Sequence, residues 1–211
     1  MLRVAFTSFD AIPDAIGEPG QPLIIMPFTN PVLAQRSAAQ LARRAGTAGS
    51  ILCISDPDRR GFIAVANKAF RVTVAPQFGY VAQDAFAGRN WLAHGLQALG
   101  KNNGGLLALN DGKWGGSLAA FGVAQTEWAK TNYGGDLFHP EYKRHYADVE
   151  LTLIALQQRK LRYDPDAMVV EVDWKKEVAQ VDPDDRLLYY KRGQTAFDRK
   201  VTNPSLRRLF K

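Results

Sequence analysis

Pro22-Leu23-Ile24-Ile25-Met26-Pro27-Phe28-Thr29-Asn30-Pro31 and, further along, Ile51-Leu52-Cys53-Ile54-Ser55-Asp56 are the two stretches whose reading decides the fold. Each holds a short continuous apolar run, the pattern of a strand covered on both faces. Between them Asn30 can cap a helix and Pro31 suits its first turn. Leu33, Ser37, Ala38 and Leu41 then recur at helical spacing until Gly46 stops the pattern. Strand, helix and strand with no hairpin signal between them imply a βαβ unit, and so an α/β sheet.

Upstream, Leu2-Arg3-Val4-Ala5-Phe6 is strand-like, but Pro13, Gly17, Pro19 and Gly20 then interrupt regular structure. Residues 1–21 therefore read as an N-terminal extension. Downstream, a second helix is expected over Arg60 to Ala69, strands at Arg71-Val72-Thr73-Val74 and Tyr80-Val81-Ala82, and an amphipathic helix through Trp91, Leu92, Leu96 and Leu99. Leu106-Leu107-Ala108-Leu109 is a further buried strand, ended by Asn110-Asp111-Gly112. Residues 145–160 carry the clearest helical pattern, with Val149, Leu153 and Leu156 on one side and Leu151, Ile154 and Ala155 widening the stripe.

Composition sets bounds. The chain has 211 residues, 46% hydrophobic and 23% charged, which suits one domain with a sizeable core. No apolar run approaches the roughly 20 residues of a membrane-spanning helix, and the N-terminus lacks a signal-peptide pattern, so a cytoplasmic location is expected. Cys53 is the only cysteine, which excludes an internal disulfide and a cysteine-rich zinc site. In its apolar run it reads as a buried strand thiol. His94, His139 and His145 show no paired metal-ligand spacing. The net charge of +6 favours an anionic partner without choosing among nucleotide, nucleic acid and lipid headgroup.

A set of weak motifs adds to this in its order along the chain. After the two strands, Gly61 to Asn67, Tyr80-Val81-Ala82-Gln83-Asp84-Ala85-Phe86 and Arg89-Asn90-Trp91-Leu92 come in sequence. Next are Gly134-Gly135-Asp136-Leu137-Phe138-His139-Pro140-Glu141-Tyr142, Ala147-Asp148-Val149-Glu150-Leu151 and Tyr163-Asp164-Pro165-Asp166-Ala167. Over residues 22–174 that order resembles a family 2-like glycosyltransferase of the GT-A type. The resemblance implies a GT-A-like (Rossmann-like) mixed, mostly parallel sheet flanked by helices, in a single domain with a basic C-terminal tail at 175–211. It also implies a hexosyltransferase-like enzyme that moves a sugar from a nucleotide-diphosphate sugar to a hydroxyl acceptor, with inversion.

The same likeness assigns site residues one by one. Pro27, Phe28, Thr29, Asn30, Asp56, Asn67, Gln83 and Asp84 would bind the nucleotide sugar. Asp84 would hold Mn²⁺ or Mg²⁺, although the family's acidic pair is here reduced to Gln83-Asp84. Asp173 stands where relatives often carry a histidine near the diphosphate, and it would either replace that histidine as an oxygen ligand to the metal or be a solvated strand-end residue. Asp148 would take the proton from the acceptor hydroxyl, and a helix N-terminus would keep it ionised. Trp128, Gly134, Gly135 and His145 would line the acceptor side, because aromatic faces stack on sugars and glycines let the backbone come close.

Each residue also has a structural reading. Asn30, Asp56, Asp84 and Asp111 lie just beyond strand ends, where ligands bind in α/β sheets, but Asx residues cap helices and form turns there as well. Glu150 reads as solvent-facing or paired with a basic side chain. Core packing competes for every aromatic, most strongly for Trp114.

The acceptor is not legible. A glycan, a lipid-linked glycan, a protein or a modified nucleic acid all fit, and Gln83 leaves open a non-catalytic, glycosyltransferase-like protein that binds nucleotide or nucleic acid. In the tail, Tyr189, Tyr190, Phe197, Leu206, Leu209 and Phe210 are interleaved with Lys191, Arg192, Arg199, Lys200, Arg207 and Arg208. That pattern suits docking on the catalytic domain, peripheral contact with an anionic membrane, or nucleic-acid binding.

Overall fold

The computed structural model describes residues 1–172 and 181–210. Among these residues eight strands, numbered β1 to β8 along the chain with their bounds given below, form one mixed sheet in the order β1-β3-β2-β4-β7-β6-β8-β5. Its first half is the expected unit: β2 (Leu23–Phe28), α1 (Pro31–Arg44) and β3 (Ser50–Ser55), with β2 and β3 parallel. Asn30 caps α1 by accepting from the N–H groups of Val32 and Leu33, and Pro31 occupies its first turn. Strand β4 (Gln77–Tyr80) then pairs with the other side of β2, also in parallel. The chain thus steps from β2 to one neighbour and then crosses to the other side, and at such a reversal a crevice opens beyond the carboxyl ends of the strands.

Residues of β2 alternate between two cores. Leu23 and Ile25 face one, Ile24 and Met26 the other, as the two-residue strand period requires. Helix α1 and α3 (Trp91–Gly100) cover the second face, while α2 (Phe62–Arg71), the short α4 (Thr126–Lys130) and α5 (Ala147–Gln157) cover the first. Cys53 is buried in the second core, and burial pushes its thiol up to about 12, so it is inert packing.

Four elements depart from the sequence expectation. Residues Arg3–Ser8 form β1, a parallel edge strand on β3, so the segment read as an extension supplies part of the sheet. Arg71 ends α2, and Thr73 makes only an isolated bridge to Ile16, where a strand was expected. The short strand β5 (Ala85–Ala87) begins just after Asp84. Strand β6 (Leu106–Asn110) connects through a long loop to an antiparallel strand, β7 (Gly122–Gln125), whose few residues carry no clear period. Strand β8 (Leu161–Glu171) closes the sheet beside β6 and pairs with β5.

The tail belongs to the same body. Helix α6 (Pro183–Gln194), capped by Asp182, buries Asp185, Tyr189 and Arg192. Phe197 and Val201 join the core that holds α5. This explains why α5 is buried around almost its whole circumference: α6 and the segment after it cover the side that a simple amphipathic helix would show to water.

Candidate active site

Two clefts adjoin at the carboxyl ends of the strands. The first, of about 460 Å³, is bounded by Pro27, Phe28 and Thr29 after β2, Asp56 after β3, and Ala82 and Gln83 after β4. Its walls are tied by side chains. Gln83 Oε1 accepts from the backbone N–H groups of Thr29 (3.0 Å) and Asn30 (2.9 Å), pinning the β2–α1 turn to the end of β4. The Asp56 carboxylate accepts from the N–H groups of Arg60 and Gly61, both at 2.9 Å, and so shapes the loop that leads into α2. The Asn30 side chain is engaged by its own helix cap.

The second cleft, of about 600 Å³, is centred on Asp148. Trp114 and Leu118 come from the loop after β6, His145 and Tyr146 from the approach to α5, and Val181 and Phe210 from the tail. Asp111 shapes the β6–β7 loop by accepting from the N–H groups of Lys113 and Trp114. Trp114 packs edge-on against Phe210. Tyr146 enters α5 with a left-handed backbone (φ 64°), and its ring stacks on Tyr189 at 4.7 Å.

Asp148 sits in the first turn of α5, only partly exposed. Burial pushes its carboxyl up from the usual 3.8 to about 6; the N–H groups of Val149 and of Asp148 itself oppose this, and the negative charge of Asp111 adds to it. The helix N-terminus expected to control its ionisation is thus outweighed by burial. At neutral pH the group is still mostly ionised, with a proton affinity suited to accepting a proton from a hydroxyl.

The structure distributes the sequence-predicted residues unevenly. Pro27, Phe28, Thr29, Asp56 and Gln83 line the first cleft, while Asp148 and His145 line the second. Asp84 lies apart, on a separate cleft beside Ser37 and Gln40 of α1. Asn67 is 3% exposed, and its amide bonds in both directions with the backbone of Phe138, so it does not face the first cleft. Gly134 and Gly135 form a turn with positive φ that leads to Asp136, which Arg71 holds by an ion pair. Neither glycine lines either cleft.

The tryptophans exchange the expected places. Trp128 is 9% exposed, packs beside Gly105 and donates to Gln158, at the amino ends of β6 and β8, the opposite edge of the sheet. Trp114, the better core candidate from sequence, is 45% exposed on the Asp148 cleft. Of the two readings of Glu150, pairing with a basic side chain is the one the structure has: it is fully buried and accepts from Tyr133, Tyr142 and the Nε and Nη2 of Arg192. Sequence reasoning missed Arg144, which lines both clefts. An exposed arginine in a basic chain has no pattern that marks it.

Asp173 lies outside the described residues. Among the described residues no group of three histidine, cysteine, aspartate or glutamate side chains comes together to hold a metal ion. Asp84, the one described residue of the expected metal pair, does not open onto the first cleft. The described donor set therefore does not fit a divalent ion between the two clefts.

Comparison with known proteins places the fold. No family model matches the chain, and no curated protein matches its sequence. Among solved structures it is similar to the mannosyltransferase PcManGT from Pyrobaculum calidifontis, in complex with GDP-Man and Mn²⁺. The TM-score is 0.56 at 14% identity over 88% of this chain, which spans 66% of the length of that structure. The likeness shows a glycosyltransferase-like, Rossmann-like α/β fold. No helix among the described residues is long and apolar enough to cross a membrane.

Proposed function

We propose that this protein is a glycosyltransferase that moves a sugar from a nucleoside-diphosphate sugar in the first cleft to a hydroxyl acceptor in the second. The observation that carries the reading is the adjacency of the two: a strand-end cleft of the kind that takes nucleotides borders a cleft whose floor holds a carboxylate with a proton affinity near neutrality. Asp148 accepts the hydroxyl proton as the acceptor oxygen bonds to the anomeric carbon. The bond from that carbon to the diphosphate oxygen breaks, and its electron pair leaves with the nucleoside diphosphate. Attack from the face opposite the leaving group inverts the anomeric centre.

Trp114, exposed beside Asp148, offers the apolar face on which a sugar ring or other flat acceptor group stacks. The fold neighbour is in complex with Mn²⁺, but no step here is assigned to a metal, because the described residues do not form a site for one.

Gln83 favours a second reading. A neutral side chain ties down the β2–α1 turn where the family resembled in sequence carries an acidic residue, and this also suits a protein that binds nucleotide without turnover. A screen of nucleotide sugars for thermal stabilisation finds the donor, since a ligand that binds only the folded state raises Tm. Release of nucleoside diphosphate on adding acceptors then separates enzyme from binder. Stabilisation without release under any acceptor favours the binder, and absence of stabilisation by every nucleotide sugar rejects both.

A further inference from the structure

We infer that Arg144 supplies the positive charge that meets the diphosphate leaving group, the task a divalent ion performs in metal-assisted transfer; this rests on the donor and acceptor reading above. Arg144 is exposed and lines both clefts, so the residue stands at the boundary where the donor's reacting bond must lie, within a side chain's reach of it. As the acceptor oxygen bonds to the anomeric carbon, the carbon–oxygen bond to the outer phosphate breaks. The electron pair goes to that phosphate oxygen and the acceptor's proton to Asp148. The departing diphosphate gains negative charge at the boundary between the clefts, and a guanidinium, with its planar fork of donors, is suited to pair with it.

The loop that carries Arg144 is built to hold it there. The carboxylate of Asp185, buried at the start of α6, accepts three consecutive backbone N–H groups: Lys143 at 2.9 Å and Arg144 and His145 at 2.8 Å. A buried carboxylate satisfied by three amides fixes a loop more firmly than exposed turns do. On its other side the loop touches Gly61, where a Cβ would fall 2.8 Å from the Lys143 carbonyl oxygen and where φ is +99°. Only glycine lets the two loops meet, and through Gly61 the Arg144 loop is keyed to the loop that Asp56 shapes. Arg59 from that loop lines the first cleft as well. Among the described residues no carboxylate pairs with either guanidinium, so both charges are available to an anion.

The test is calorimetric titration of the full chain with GDP, UDP and ADP against the matching monophosphates, with and without EDTA, at low and high salt. Wild type is expected to bind one diphosphate more tightly than its monophosphate in EDTA, with an affinity that falls as salt rises. Arg144→Gln is expected to lose about 10-fold or more in diphosphate affinity, the size of one charge-assisted contact, with the monophosphate little changed and a flatter salt dependence. Arg144→Lys should recover part of the loss. Equal diphosphate binding by wild type and Arg144→Gln overturns the inference and leaves the donor cleft standing. So does loss of all diphosphate preference in wild type when EDTA is added, because a metal ion then carries the charge. A wild-type protein that binds none of these nucleotides overturns the donor reading and this inference together.

Discussion

Arg192, from the tail helix, reaches Glu150 on α5 with two contacts of 2.7 Å, and together they tie the tail to the helix that carries Asp148. Glu150 is fully buried, and Tyr133 and Tyr142 donate to the same carboxylate at 3.0 and 2.9 Å. Two residues before Glu150 along α5 stands the candidate base. The pair therefore joins the last part of the chain to the floor of the cleft that holds Asp148.

Removing one member of that pair leaves a buried charge without its partner. Arg192→Ala is expected to cost about 3–5 kcal/mol, as breaking a buried ion pair does. That corresponds to a Tm drop on the order of 10 °C in a chain of this size. Thermal unfolding of purified variants measures it, and a drop of only a degree or two would show that the pair is dispensable. Truncation of residues 187–211 removes Tyr189, Arg192, Phe197 and Val201 from the core and is expected to abolish cooperative unfolding.

Asp148→Asn is expected to keep the fold and donor binding while lowering turnover by about two to four orders of magnitude, the range for losing a general base. The wild-type rate should rise with pH through about 6, because the base works only when ionised. Stability runs the other way. A carboxyl whose folded pKa is raised from 3.8 to about 6 contributes stability that is fully present below the lower value and lost as pH rises through the upper one. The Tm of Asp148→Asn relative to wild type should accordingly improve as pH rises from about 4 to about 7. A flat pH–rate profile across that range removes Asp148 from the mechanism.

The two tryptophans should separate binding from stability. Trp114→Ala, at an exposed position, is expected to shift Tm by no more than a degree or two while weakening acceptor use, read as a raised KM for acceptor. Trp128→Ala empties a buried site and should cost about 3–5 kcal/mol. Equal effects of the two on stability would contradict the placement of Trp114 on the cleft.

Gln83→Ala frees the N–H groups of Thr29 and Asn30 and should loosen the β2–α1 turn. Nucleotide affinity is expected to fall about 5-fold, the scale of one net hydrogen bond, with little change in Tm. Titration of the nucleotide found by the stabilisation screen checks this, and unchanged affinity would mean that the turn is held by other contacts.

Much of the fold was legible where pattern is local. The apolar runs of β2 and β3, the Asn30 cap with Pro31, and the periodicity of α3 and α5 each arise from interactions within a few residues, and each element is present. Two local signals failed. Arg71 to Val74 has strand-forming residues but is claimed by the end of α2, and β7 is too short to show a period. Of the candidate site, Asp56 could be named from its place at a strand end and Asp148 from its place at a helix start, where polar residues are displayed, whereas Thr29 and Gln83 were named only through the ordered resemblance.

The sequence by itself determined the α/β class, the parallel β2–α1–β3 unit and the position of a carboxylate at the start of α5, because these depend on neighbours along the chain. Only the tertiary structure decided which side chains share a cleft. It set Arg144 between the two clefts, turned Glu150 inward to Arg192, sent Trp114 to the surface and Trp128 to the core, and placed Asp84 and Asn67 away from the first cleft. Those outcomes depend on contacts such as Asp185 with the loop at residues 143–145, or Gly61 with Lys143, between segments far apart in sequence. The free energy of such a contact depends on burial and on the partner met across the fold, and neither is encoded in local spacing.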